Sequence, residues 1–125
     1  MLDALLLTLA AGLILLTMAV HSLLGQKRLI QPTLSIEDDI LTHPLARFLI
    51  GFAWHLTSAI GAVLAAILLA WAWVPDHARA IGLAATSVVF LASGVYDAIG
   101  SRGRHIGWPL LVAIGAVALA ALFQA

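Results

Sequence analysis

Three of the five histidines, His21, His55 and His105, and one aspartate, Asp97, lie within or at the ends of long apolar runs. An ionisable side chain in or beside hydrocarbon is costly, and it tends to face a bundle interior, a partner or a pathway. Neutral imidazole ligates zinc, copper and iron, and a pair of histidines on facing helices can grip a haem. Cysteine is absent, which removes thiolate chemistry and disulfides and leaves imidazole and carboxylate as ligands. His21, His55, Asp97 and His105 are therefore the candidate set for a transition metal, a haem or another small ligand. A plainer reading stands beside it: His21 and His55 bond to hydroxyls or carbonyls, and Asp97 pairs with Arg102, Arg104 or His105. A proton or ion relay is a third reading, weakened by the few polar residues beyond the set.

Spacing supports a shared level. At a helical rise of about 1.5 Å per residue, His55 lies about 12 Å beyond Arg47, His21 about 9 Å before Lys27 and Asp97 about 7.5 Å before Arg102. Gly51, His55, Ser58, Ala62 and Ala65 share one helical face, and Thr86, Ser93 and Asp97 another. Thr17 stands one turn from His21. Arg47, Arg102 and Arg104 rim the site, where they could meet haem propionates. Trp54 points about 100° away from His55 and reads as packing or lipid contact, and His43 and His77 read as loop residues. No Walker loop, dinucleotide fingerprint or His-Glu-x-x-His motif occurs, and no nucleophile elbow supports a hydrolase built on Ser93, Asp97 and His105.

The elements that must position these residues are apolar helices. The chain is 63% hydrophobic and 10% charged, far from the roughly one quarter charged of a soluble domain, which points to one membrane domain of four helices. The runs are about 4–24, 48–74, 78–99 and 108–123, with a long connection at 25–46. The first carries Asp3 and no basic head, so it reads as a retained helix and not a secretory signal. Pro75 ends the second run, Asp76 is a candidate cap for the third, Gly100 closes that helix, and Trp108-Pro109 opens the fourth. Within the connection, Ser35 followed by Glu37, Asp38 and Asp39 predicts a short interfacial helix that stops before Pro44. A docking surface for a cytoplasmic partner is the alternative use of that segment. Lys27, Arg28, Arg47, Arg102 and Arg104 flank connections one and three, against Arg79 alone in connection two. The positive-inside rule then puts connections one and three in the cytoplasm and both termini outside. Balanced charge offers no basic surface for nucleic acid.

An offset of 54 residues sets Trp54 on Trp108 and Ala59-Ile60-Gly61-Ala62-Val63 on the identical Ala113-Ile114-Gly115-Ala116-Val117. An offset of 75 relates Val20, Leu24 and Gly25 to Val95, Ile99 and Gly100. Two tandem, parallel copies of one hairpin explain both. Gly51, Gly61 and Gly115 are expected to mark helix contacts, because small residues let backbones approach in a membrane.

The segments His21-Ser22-Leu23-Leu24-Gly25-Gln26 and Trp54-His55-Leu56-Thr57-Ser58 resemble a set of small, uncharacterised bacterial membrane proteins. These pair a His-Ser-x-Leu-Gly-Glu stretch with a later Trp-His-Leu-Thr-Ser stretch. The resemblance covers the first two helices and their connection, with Gln26 in the place of glutamate. It implies no activity, but it implies a bacterial inner-membrane setting and treats His21 and His55 as a pair. The expected protein is thus an all-α four-helix membrane bundle with a His/Asp ligand site in its cytoplasmic half and no assigned turnover. Two other classes compete: an accessory subunit of a homo-oligomer or larger membrane complex, and a small oligomeric ion or proton transporter.

Overall fold

The computed structural model describes residues 1–124. All regular structure among them is helical, in four rods. The first, α1, runs Leu2–Leu34, the second, α2, Pro44–Trp73, the third, α3, Pro75–Gly100, and the fourth, α4, Trp108–Leu122. The first three are long and apolar enough to cross a membrane. With 15 residues, α4 is about 22 Å long, short of the roughly 30 Å of a hydrocarbon core.

The first rod differs most from expectation. It does not end near Leu24 but continues as a π-helical stretch over His21–Ile30 and a last α turn at Gln31–Leu34. A π turn bonds residue i to i+5, as Gln31 N does to the Gln26 carbonyl. The widened stretch stops just before Pro32, whose ring would press on the Arg28 carbonyl in a regular α turn. The connection therefore shrinks to residues 35–43. No interfacial helix forms in it: Ser35 closes α1, its hydroxyl donating to the Pro32 carbonyl at 2.6 Å, and the Asp38 carboxylate accepts from Ile40 N at 2.9 Å in a tight turn. Pro44 starts α2 instead of stopping a helix before it, because the first turn needs no N–H from that residue.

The remaining boundaries lie near those expected. Pro75–His77 form a 3₁₀ turn before the α-helical Ala78–Gly100, and no side chain caps α3, so Asp76 is not its cap. The left-handed residues that turn the chain toward α4 are Arg102 (φ 54°) and Gly103 (φ 71°). Gly100 stays helical. Its missing side chain instead accommodates the Phe48 ring from α2.

Packing follows chain order: α1 on α2, α2 on α3 and, most extensively, α3 on α4. Among the described residues nothing comparable joins α1 to α3 or α4, or α2 to α4, so the helices form an open row and do not close on themselves. The interior is made mostly of small and polar residues, including Ala11, Ala65, Ala70, Ser87 and Asp97, with Ile30 and Val63 the larger buried side chains, while most of the exposed surface along every helix is leucine, isoleucine and valine. Small residues at helix contacts with large apolar residues outside is the arrangement expected where the solvent is lipid.

Candidate functional site

His21 and Trp54 bind each other reciprocally across α1 and α2. The rings stack with centroids 3.9 Å apart and planes 13° from parallel. His21 Nε2 donates to the Trp54 carbonyl at 3.2 Å, and Trp54 Nε1 donates to the His21 carbonyl at 3.0 Å. Gly25, one turn on, leaves room for the indole, since a Cβ there would collide with its six-membered ring. Thr57 donates to the Trp54 carbonyl at 2.7 Å, so its oxygen accepts from His21 Nε2 at 3.1 Å. The two segments singled out in the sequence thus fit each other residue by residue. Sequence reasoning assigned Trp54 to packing and missed its hydrogen bonds, which depend on the register of two helices 33 residues apart.

The next residues on each helix form a second set. Ser22 Oγ lies 3.1 Å from His55 Nδ1 and donates to Ser58 Oγ at 2.8 Å, and Ser58 reaches the Met18 carbonyl at 3.4 Å. Ser22 was not among the expected site residues, although it adjoins His21. His55 itself borders a cleft of about 590 Å³. The cleft exists because α1 and α3 both pack on α2 without meeting each other. Gln26 and Leu34 of α1, Phe48, Gly51, Phe52, Leu56 and Ala59 of α2, and Ala92, Ser93 and Tyr96 of α3 form its walls, with Arg47 at one side. Phe48, Phe52 and Tyr96 make a continuous aromatic wall, with centroids 5.7 to 6.1 Å apart. Gln26 Oε1 is buried without a partner. The Arg47 guanidinium is turned to the carbonyls of Leu34 and Leu41, tying the connection to α2.

Asp97 and His105 form a separate pair. Asp97 is fully buried, and its Oδ2 lies 2.5 Å from His105 Nδ1. Of the partners expected for this carboxylate, the imidazole is the one found, and neither Arg102 nor Arg104 bonds to it. Gly107 is required by the ring: a Cβ there would lie 2.5 Å from His105 Cε1. Asp97 Oδ1 and the nearby Ser101 hydroxyl are buried without partners. His105 also borders a smaller cleft of about 340 Å³ between α2 and α4, walled by Leu49, Phe52, Leu56 and Leu110.

The four expected ligands therefore divide into two sets. Among the described residues no group of three or more His, Asp or Glu side chains comes together as a metal site. Ser58 joins His55, Ser93 lines the large cleft and Arg47 borders it. Thr17 bonds only to its own helix, at the Leu13 carbonyl, and Arg102 and Arg104 are exposed on the α3–α4 turn. Of the three expected packing glycines, Gly61 meets Met18 and Ile14 of α1, and Gly115 approaches the backbone of Leu91 in α3 within 2.7 Å of a would-be Cβ. Gly51 is not a helix contact: it faces open space at the cleft wall, where its lack of a side chain widens the cavity.

Fold and site together define a small all-helical chain with three apolar helices able to cross a membrane and a mostly apolar cleft bordered by one imidazole. No protein-family model, curated protein or solved structure matches it.

Proposed function

We propose that this chain is a small integral membrane protein that holds a small apolar ligand in the cleft beside His55. The observation that carries the reading is the cleft itself. Its volume of about 590 Å³ falls within the usual range for small-molecule sites, about 300 to 1,000 Å³, and its walls are apolar with a few polar groups, as such sites generally are. Two similar hairpins, α1–α2 and α3–α4, make up its single domain. Gly61 meets α1 at Ile14 and Met18, and Gly115 meets α3 at Leu91, between Val89 and Ser93, the counterparts of Ile14 and Met18 under the internal offset. In a bacterial inner membrane the His55 end would be cytoplasmic, from the basic residues around connections one and three.

Metal and haem rank behind an apolar ligand in this reading, because His21 Nε2 is already committed to Trp54 and Thr57 and no third ligand joins His55. The test is purification in mild detergent followed by organic extraction and mass spectrometry, with an absorption spectrum and elemental analysis on the same sample. A stoichiometric apolar compound, lost when Gly51→Leu fills the cleft, is expected. A Soret band or stoichiometric metal that disappears with His55→Ala would return the assignment to a cofactor site.

A second reading, an accessory subunit of a larger membrane complex, is favoured by one observation: most polar groups of the paired segments are consumed by each other. Under that reading the Gly51→Leu protein binds its partners as the parent does, and nothing is extracted from either.

A further inference from the structure

The polar side chains around His55 form a chain whose direction can be worked out from its end. The Met18 carbonyl has no proton to give, so the Ser58 hydroxyl, 3.4 Å away, donates to it. The Ser58 oxygen then accepts the Ser22 hydroxyl proton at 2.8 Å. With that proton spent, Ser22 Oγ can only accept from His55 Nδ1, 3.1 Å away. In its neutral form the His55 imidazole is thus held as the Nδ1–H tautomer, which leaves Nε2 bare on a residue that lines the cleft. His21 is held the opposite way, as the Nε2–H tautomer, by the Trp54 carbonyl and the Thr57 oxygen.

The other polar side chains on the cleft differ from His55 Nε2: the hydroxyls of Ser93 and Tyr96 can each donate or accept, whereas a bare imidazole nitrogen can only accept. No carboxylate lines the cleft, and Arg47 is engaged by backbone carbonyls. An occupant that offers only acceptors would leave that nitrogen's lone pair unpaired in a site of low polarity, where unpaired polar groups are most costly. An occupant with a hydroxyl satisfies it.

Building on the cleft reading above, we infer that the site takes an apolar membrane molecule whose polar end is a hydroxyl that donates to His55 Nε2. Two sources carry that chemistry: a prenylated hydroquinone, whose ring matches the wall of Phe48, Phe52 and Tyr96, and an isoprenoid alcohol, whose chain would fill the cleft without a ring.

The experiment compares binding to the full chain in detergent, followed by tryptophan fluorescence under anaerobic conditions. The probes are a short-chain prenylated hydroquinone, its dimethyl ether, the oxidised quinone and a prenol of equal tail length. The hydroquinone or the prenol should bind about two- to tenfold more tightly than the ether, the factor expected for one net hydrogen bond. In the His55→Phe variant the ratio of affinities between the hydroxyl and ether forms should fall to about one. Preference for hydroquinone over prenol assigns the aromatic source, and the reverse assigns the alcohol. Equal binding of hydroxyl and ether forms by the parent protein overturns the inference while leaving the cleft reading standing. Binding of none of the four probes overturns both. The comparison of ligands on the parent chain does not depend on how the variant folds.

Discussion

Replacing Trp54 by phenylalanine keeps a ring against His21 but removes the donor to the His21 carbonyl, so it should cost about 1 kcal/mol in detergent unfolding. Replacement by alanine, which also removes the packing, should cost about 3 kcal/mol or more. At the other pair, His105→Ala leaves Asp97 buried without its one partner, and the expected loss is about 3 kcal/mol. Adding Asp97→Leu to that variant should recover part of it, because no buried carboxylate then remains. If the double variant is no more stable than the single one, the unpaired buried carboxylate is not the source of the loss. The types of these residues were legible in the sequence, because imidazole and carboxylate are rare in apolar runs. Their partners were not. Asp97 and His105 are eight residues apart along the chain, but the contact depends on the left-handed residues between them, and no periodicity encodes that turn. The single four-ligand site failed for a related reason, since equal depth along separate helices says nothing about which helices touch.

At the scale of the helix, glycines separate contacts from open space. A Cβ at Gly115 would lie 2.7 Å from the Leu91 backbone nitrogen, and one at Gly94 would lie 2.8 Å from that of Val112. Backbone cannot swing aside, so Gly94→Ala and Gly115→Ala should each destabilise by about 1 to 3 kcal/mol, read from thermal unfolding of the detergent-solubilised protein. Gly51→Ala should act in the opposite direction, gaining up to about 1 kcal/mol from helix propensity because nothing lies within reach of the new methyl. A loss of stability at Gly51 would mean that α2 packs against something there. The repeat pointed correctly to Gly61 and Gly115, since helices that match along their length share a contact register. It gave no warning about Gly51, which lies outside the matched stretch. Prolines misled for a physical reason: the residue type that stops a helix in its interior also suits its first turn, and only the course of the chain before Pro44 decides between them.

For the whole molecule, an all-helical build with apolar rods was legible from composition and run length, whereas the open row was not, because a closed bundle and a row show the same outward leucines. The absence of cysteine makes sidedness directly measurable: single cysteines introduced at Glu37 and Arg104 should react with a membrane-impermeant maleimide from the same side of sealed vesicles, and one at Asp76 from the other. Labelling of all three from one side would overturn the crossing of α2 and α3. The unequal lengths of the rods have a mechanical consequence in a lipid film. Placed in a bilayer, α2 spans about 45 Å and α4 about 22 Å, so the row is short at the edge that α4 forms. If α4 crosses that bilayer, the lipid beside it thins by several ångströms to meet it, at a cost of a fraction of a kcal/mol per ångström. That elastic strain gives the chain a preference among membranes by thickness, and thin, short-chain bilayers should stabilise it relative to thick ones of the same head group.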